Sequence, residues 1–354
     1  MNKVVNLFLK LVQIDSPSDH EQLMIVFITN WAKKQNLSFR VDKFGNVLIK
    51  NNGKGKPILF CVHLDTVQSG EGIKPVIKDG IIKSAGDTIL GADNKVALAS
   101  LLSAVEEYLK NNDNQKSFEL LFTVKEETGG GVEYFPFKWL KSKKGLVFDC
   151  AKPLGSIILS SPYIINFKAE FIGQPTHAST PEKGNNALFP VIKSLNKLII
   201  VKTDKNTKIN IGFINGGSGI NVVPNKIVLS GELRSYNKIQ FKNKLKKIKD
   251  VFNNQSKKYK TKLIFKINGF CPGYIHNISS EFIKNISGVF KDLNIKTQFD
   301  YSFGVSDANI LNNHGIETIN LGDGIINPHT TDEQIEIKTL IQLKKIIKQF
   351  LDYL

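Results

Sequence analysis

Arginine is almost missing from this chain. Of 354 residues only Arg40 and Arg234 are arginine, although Lys and Arg together number 48 and the formal net charge is +16. Proteins that read nucleic acid depend on the guanidinium fork, which lysine does not supply. The lysines are spread along exposed helix faces, as in 242–249, so the charge describes a solvated surface and nucleic acid is not expected as a partner. Cysteine is also scarce. Cys61, Cys150 and Cys271 are odd in number and far apart, which excludes a disulfide framework and fits a reducing cytoplasm. No apolar run is long enough to span a bilayer, so no membrane partner is expected. The opening MNKVVNLFLKLVQI is interrupted by Lys10 and followed by no small-residue cleavage site. It places Val4, Leu7, Phe8, Leu11 and Val12 at helical spacing, which reads as a helix and not a secretory signal. Repeats and low-complexity tracts are absent. With 41% hydrophobic residues the length suits two globular domains.

What is present is organised by short apolar runs. ILFCV at 58–62, LLFTV at 120–124, LVF at 146–148 and TINL at 318–321 are β-rich and nearly unbroken by polar residues, as expected of central strands covered on both faces. Residues 95–110 place Leu98, Leu101, Leu102 and Val105 on one helical face. Upstream, Ser18 and Glu21 have capping-box spacing, and Leu23, Val26, Phe27 and Trp31 continue on one face of the helix they would open. The alternation predicts an α/β domain with a mixed, mostly parallel sheet covered by helices. The middle differs: a strand at 164–172, a helix near 187–200, strands near 208–214 and 225–235, a lysine-rich helix at 237–256 and a strand at 261–268 predict a smaller α+β unit. Chemistry-bearing segments flank it on both sides. The expected organisation is therefore a catalytic domain of 1–162 and 272–354, interrupted by an inserted domain of 163–271.

Each central run ends in histidine or acidic residues. His63-Leu64-Asp65 follows the first, and alternation puts His63 and Asp65 on one face. Gly91-Ala92-Asp93-Asn94-Lys95 leads into a helix. Lys125-Glu126-Glu127 follows the second run and precedes three glycines. Asp149 follows the third, and the loop ending Asn327-Pro328-His329-Thr330 follows the fourth. In an open α/β sheet, ligands bind beyond the carboxyl ends of the strands. Two histidines and several carboxylates there suit zinc, cobalt or manganese with positions left for water. Any one of these clusters is commonplace alone. The information lies in all five, in order, each at a strand end.

At these residues, HLDTV, GADNK, EETGGG, FD and NPHTT, the chain resembles the di-zinc exopeptidases that include peptidase T, carboxypeptidase G and aminoacylase, and within them the peptidase T-like branch. SPSDHE, SDANIL and GIETINLG add to the likeness, which covers nearly the whole chain. The resemblance implies two divalent metal ions, His63 and Asp149 at the first, His329 and Glu127 at the second, and Asp93 bridging both. Asp65 would orient His63. Glu126 would be the general base toward a water shared by the two cations, whose pKa falls from ~15.7 toward ~7. In the inserted lid and dimerisation domain, His177 would stabilise the developing oxyanion, often from a partner subunit. Arg234 would hold the substrate carboxylate, with Asn221 as a further contact. Asn94 stands where the family often has a second aspartate, which is not a ligand, so the metal site should survive. The activity implied is hydrolysis of short peptides by a tripeptide aminopeptidase, and the family's manner of pairing would make it a homodimer through the insertion. A carboxypeptidase or N-acyl-amino-acid amidohydrolase would share the same metal site, and a catalytically dead scaffold is disfavoured by the complete ligand set.

Overall fold

A computed structural model describes residues 2–110, 115–199 and 205–353. These fall into two compact units, Met1–Leu159 with His276–Tyr301 and Ser306–Leu354, and Ser160–Ile275 with Ser302–Val305.

The first unit is built on a mixed sheet. Its strands run in the order Ser38–Val41, Val47–Lys50, Lys116–Thr123, Lys54–His63, Lys144–Phe148, Glu317–Leu321 and Ser156–Ser161. The expected apolar runs supply the third to sixth, and these four are mutually parallel. The flanking strands pair antiparallel. Parallel pairing has a functional consequence: His63, Thr123, Phe148 and Leu321 all end strands at the same edge. The helices Lys3–Val12, Ala92–Lys110, Glu281–Asp292 and Ile337–Tyr353 add their apolar side chains to one continuous core with the sheet. Ala92–Lys110 is buried on most of its surface, beyond the single face its leucines define.

The helix Gln22–Lys34 corrects one expectation. It buries Met24, Ile28, Trp31 and Ala32, while Leu23 and Val26 are exposed. Two apolar stripes compete along this sequence, and the indole N–H of Trp31 donating to Glu106 at 2.8 Å belongs to the one that wins. Nor is there a capping box. Glu21 occupies the N-cap position without a side-chain cap bond, and Ser18 donates instead to the Asp65 carboxylate, far away in sequence.

The second unit is an antiparallel sheet ordered Thr207–Gly216, Lys226–Ser235, Tyr163–Ile172 and Lys262–Cys271. The helices Leu188–Ile199 and Lys238–Lys258 pack with it around Phe167, Phe171, Leu229 and Phe252. Position 200, where the first of these helices was expected to end, lies outside the described residues. Ile227, Leu229 and Leu233 are buried and Arg234 lies on the opposite face, as alternation requires. The unit also takes in 302–305. Phe303 packs on Tyr236 with ring centroids 4.6 Å apart, and Gly304 O accepts from the Ser161 hydroxyl at 2.8 Å. No described helix is long and apolar enough to cross a membrane. No disulfide forms among the described residues.

Candidate metal centre

All seven proposed residues of the first unit, His63, Asp65, Asp93, Glu126, Glu127, Asp149 and His329, come from segments at the common strand edge. The core of the array is a chain of side chains centred on Asp93. Its Oδ1 lies 3.1 Å from His63 Nε2 and its Oδ2 lies 3.2 Å from His329 Nε2. His329 Nε2 also meets Glu127 Oε1 at 2.9 Å, and His63 Nε2 is 3.9 Å from Asp149 Oδ1. Donor atoms of His63, Asp93 and Glu127 lie within 4.8 Å of one another, and so do those of His63, Glu126 and Asp149. Asp93 thus faces both histidines, each with its own second carboxylate.

Local backbone geometry makes this possible. Gly91 has φ +65°, Asp93 and Asn94 are non-helical at the start of their helix, and the peptide between them is cis. Lys125 and His329 adopt left-handed φ of +55° and +63°, a conformation that L side chains disfavour and that functional loops often retain. Gly131 lets the loop after Glu127 fold back on its strand, since a Cβ there would lie 1.6 Å from Val124 O.

The electrostatics fit cations. Burial would raise the pKa of Asp93, but hydrogen bonds and charge from His329 and His63 outweigh it and hold the carboxylate ionised. Hydrogen bonds to Asp93 and Glu127 push His329 up to about 10, against the opposing effect of burial. His63 is likewise raised, despite its burial, by hydrogen bonds to Asp65 and Asp93. Glu126 and Asp149 are raised well above the carboxylate range, first by burial and then by neighbouring carboxylates. Two imidazoles do not balance this much buried negative charge. Histidine nitrogens and carboxylate oxygens converging there are the donors that divalent zinc, cobalt or manganese accepts.

Supporting contacts surround these residues. His63 Nδ1 lies 3.0 Å from the carbonyl of Asp65 and 3.4 Å from its carboxylate, so residue 65 faces the ring through both groups. The Asp65 carboxylate has further partners. It accepts from the backbone N–H groups of Glu126 and Glu127 at 3.0 and 3.2 Å, and from the Ser18 hydroxyl at 2.6 Å. Glu21 accepts from Lys125 N at 3.0 Å. Three consecutive N–H groups of the Glu126–Glu127 loop are therefore held by two carboxylates.

Three further buried carboxyls went unread in the sequence. Asp307 lies within the SDANIL segment and accepts from Thr123 Oγ1. Burial pushes its pKa up to about 6, although the Thr123 hydrogen bond opposes the rise. The Cys61 thiol, 3.5 Å from Asp307, is buried and raised by that burial, as befits a core thiol and not a ligand. Asp323 accepts from Cys150 N at 3.1 Å. Glu333 accepts from Gly91 N and Asp93 N. The available signal was position: each lies within a few residues of a strand end or ligand loop.

In the second unit His177 and Asn221 are brought together. His177 bridges to Val222 in the backbone, and Ala178 N donates to Asn221 O at 2.9 Å. Both side chains are exposed, and His177 Nδ1 meets Ser179 Oγ at 2.7 Å. Arg234 is engaged within its unit: Nε and Nη2 donate to the two Glu232 oxygens at 2.8 and 2.9 Å, and Nη1 donates to Phe303 O at 2.7 Å. His276 bonds Thr318 O and His314 stacks on Phe137, both structural contacts.

Residues 160–260 match the peptidase dimerisation domain of the M20 family. The aminopeptidase PepT of Bacillus cereus is similar over 99% of this chain and 98% of its own, with 29% identity and a TM-score of 0.92. A Staphylococcus aureus tripeptidase aligns over 99% of this chain and 97% of its own, with 28% identity and a TM-score of 0.93. An uncharacterized protein of Bacillus subtilis is 28% identical over 352 residues, spanning 96% of this chain and 95% of its own length.

Proposed function

We propose that this chain, a peptidase of the M20 family by its fold and its dimerisation domain, is a two-metal aminopeptidase that releases the first residue of tripeptides. The observation that carries the reading is the position of Asp93, with one carboxylate oxygen toward His63 and the other toward His329. His63 with Asp149, and His329 with Glu127, would hold one ion each, and Asp93 would serve both. When bound, the ions supply Lewis acidity and acidify water from ~15.7 toward ~7.

The chain's own residues do the rest. Glu126 stands outside the Asp93–His329 chain, close to His63 and Asp149, and its backbone is fixed by Asp65. A half-buried carboxylate with a raised pKa is suited to take a proton from water and return it to the leaving amine. Glu127, its neighbour, is turned to His329 instead. For the second unit we assign His177 to the developing oxyanion and Arg234 to the substrate carboxylate, with Asn221 beside His177 as a further contact. The dimerisation domain supports a homodimer, and three scattered cysteines with no disulfide among the described residues support a cytoplasmic location.

The test is a panel of di- and tripeptides, free and blocked at each end, with zinc, cobalt and manganese supplied in turn. Tripeptides with a free amino terminus should be cleaved after the first residue and acetylated ones spared. Hydrolysis of N-acylated amino acids with tripeptides untouched would instead make the chain an amidohydrolase.

A further inference from the structure

Glu333 is fully buried, yet its carboxylate makes no ion pair within 4 Å among the described residues. Its two oxygens point at the loop that carries the bridging ligand. Oε2 accepts from Gly91 N at 2.7 Å and Oε1 from Asp93 N at 3.0 Å. Glu333 also lies on the loop that carries His329. That loop is closed at its stem by reciprocal hydrogen bonds between Ile326 and Gln334, both 3.0 Å, and by Glu333 N donating to Thr330 O at 3.1 Å. Beyond the stem, Gln334–Glu336 pairs with the strand Ile81–Ser84.

A closed circuit results. It runs from the Asp93 backbone to the Glu333 carboxylate, along the loop to His329, and from His329 Nε2 back to Asp93 Oδ2 at 3.2 Å. We propose that Glu333 is a positioning residue that binds no metal but fixes Asp93 against His329, and so sets the second metal site. This rests on the reading of Asp93 as the ligand common to both sites.

Capping alone would account for less. A carboxylate at a helix start satisfies otherwise unpaired N–H groups and adds to helix stability. Here, however, Asp93 and Asn94 depart from helical geometry, so the two N–H groups gripped by Glu333 belong to the turn that aims the Asp93 side chain. Both partners of the carboxylate are donors. An amide in its place would turn an NH2 group against one of them, disturbing the aim with almost no change in side-chain volume. Lys95, fully buried, is committed to Ile14 O at 2.8 Å and approaches Glu333 by charge alone.

The experiment is a titration of the metal-free full chain with cobalt(II), followed by calorimetry and by the visible absorption of the bound ion. The wild type should take up two ions per chain. Glu333→Gln should bind the first nearly as the wild type does and the second about 10- to 100-fold more weakly, with an altered cobalt spectrum, the range found when supporting hydrogen bonds of metal ligands are lost. A merely stabilising role would lower the melting temperature and leave the second affinity and the spectrum alone. Glu333→Gln taking up both ions with wild-type affinity and spectrum would overturn the proposal. Failure of the wild type to bind two ions would overturn the two-metal reading instead. Should Glu333→Gln not fold, Glu333→Asp, which keeps the charge on a shorter arm, must show the same selective weakening. In the metal-free wild type the amides of Gly91 and Asp93 must also exchange slowly, and rapid exchange at both would refute the grip.

Discussion

The two units hold their polar residues in different ways. In the first, the side chains facing the metal centre are buried or half-buried except His329, which is exposed, and the loops that carry them are gripped through the main chain: Asp65 and Glu21 on residues 125–127, Glu333 on 91 and 93, Asp323 on 150. In the second, His177 and Asn221 stand exposed on a turn, and Arg234 is half-buried in a pair with Glu232. The contrast follows from what each residue would meet. Donors around two small ions must be placed within a few tenths of an ångström, which requires side chains and loops that have lost their freedom before the ions arrive. Groups that meet a flexible peptide can settle on it. The first unit should therefore fail through metal affinity and turnover, and the second through substrate handling with the metals in place.

The largest effect expected is at Glu126. Glu126→Gln should retain two metals and lose about 10²- to 10⁴-fold in kcat, since positioned proton transfer contributes on that order. Glu127→Gln should instead weaken the second ion, as its contact with His329 implies. Metal analysis beside kcat separates them, and the reverse pattern would exchange the two assignments. Next comes His177→Ala, which should cost about 10²- to 10³-fold in kcat, the scale of one lost oxyanion donor. Metal content should be unchanged; a variant that also lost metal would break the contrast between the units.

A smaller effect is expected at Ser18 and Glu21, and these residues show where sequence reading stops. Their spacing is that of a capping box, but the signature of a local cap is indistinguishable from that of two acceptors and donors aimed at distant loops. Only the fold shows that Ser18 meets Asp65 and Glu21 meets Lys125 N. His63, Asp65, Glu126, Glu127 and Asp149 were legible because a histidine or carboxylate directly after an apolar β-run has one place to go, the edge of the sheet, whereas Asp93 at a helix start and His329 in a long loop were reached through the resemblance. Asp307, Asp323 and Glu333 were not legible, because an acidic residue in a loop or at a helix start carries no local mark that separates a buried carboxyl from a solvated one. The buried face of Gln22–Lys34 was misread because both candidate stripes are apolar. Glu21→Gln and Ser18→Ala should lower kcat about 10- to 100-fold, by analogy with other supporting bonds, with metal stoichiometry intact. Wild-type turnover in both would make the Lys125–Glu127 loop self-supporting.

The smallest effect, and the one that presses hardest on the contrast, concerns Arg234. Its fork is already filled by Glu232 and Phe303 O, so a substrate carboxylate must compete with Glu232 for it. Both partners of that pair are about one-third exposed, and such pairs contribute at most about 1 kcal/mol. Competition on that scale costs roughly five-fold in affinity and no more. Glu232→Gln, which removes the competing charge, should lower KM for free tripeptides by up to about that factor. It should leave C-terminally amidated peptides unchanged, since they offer no carboxylate to the fork. Arg234→Lys should act in the opposite direction on free tripeptides, because an ammonium cannot form the bidentate pair, and should spare amidated ones. Both changes should leave the melting temperature nearly where it was. If Glu232→Gln and Arg234→Lys shift only the melting temperature, and free and amidated peptides respond alike, then Arg234 is a strut of the second unit and recognition of the substrate's end lies elsewhere.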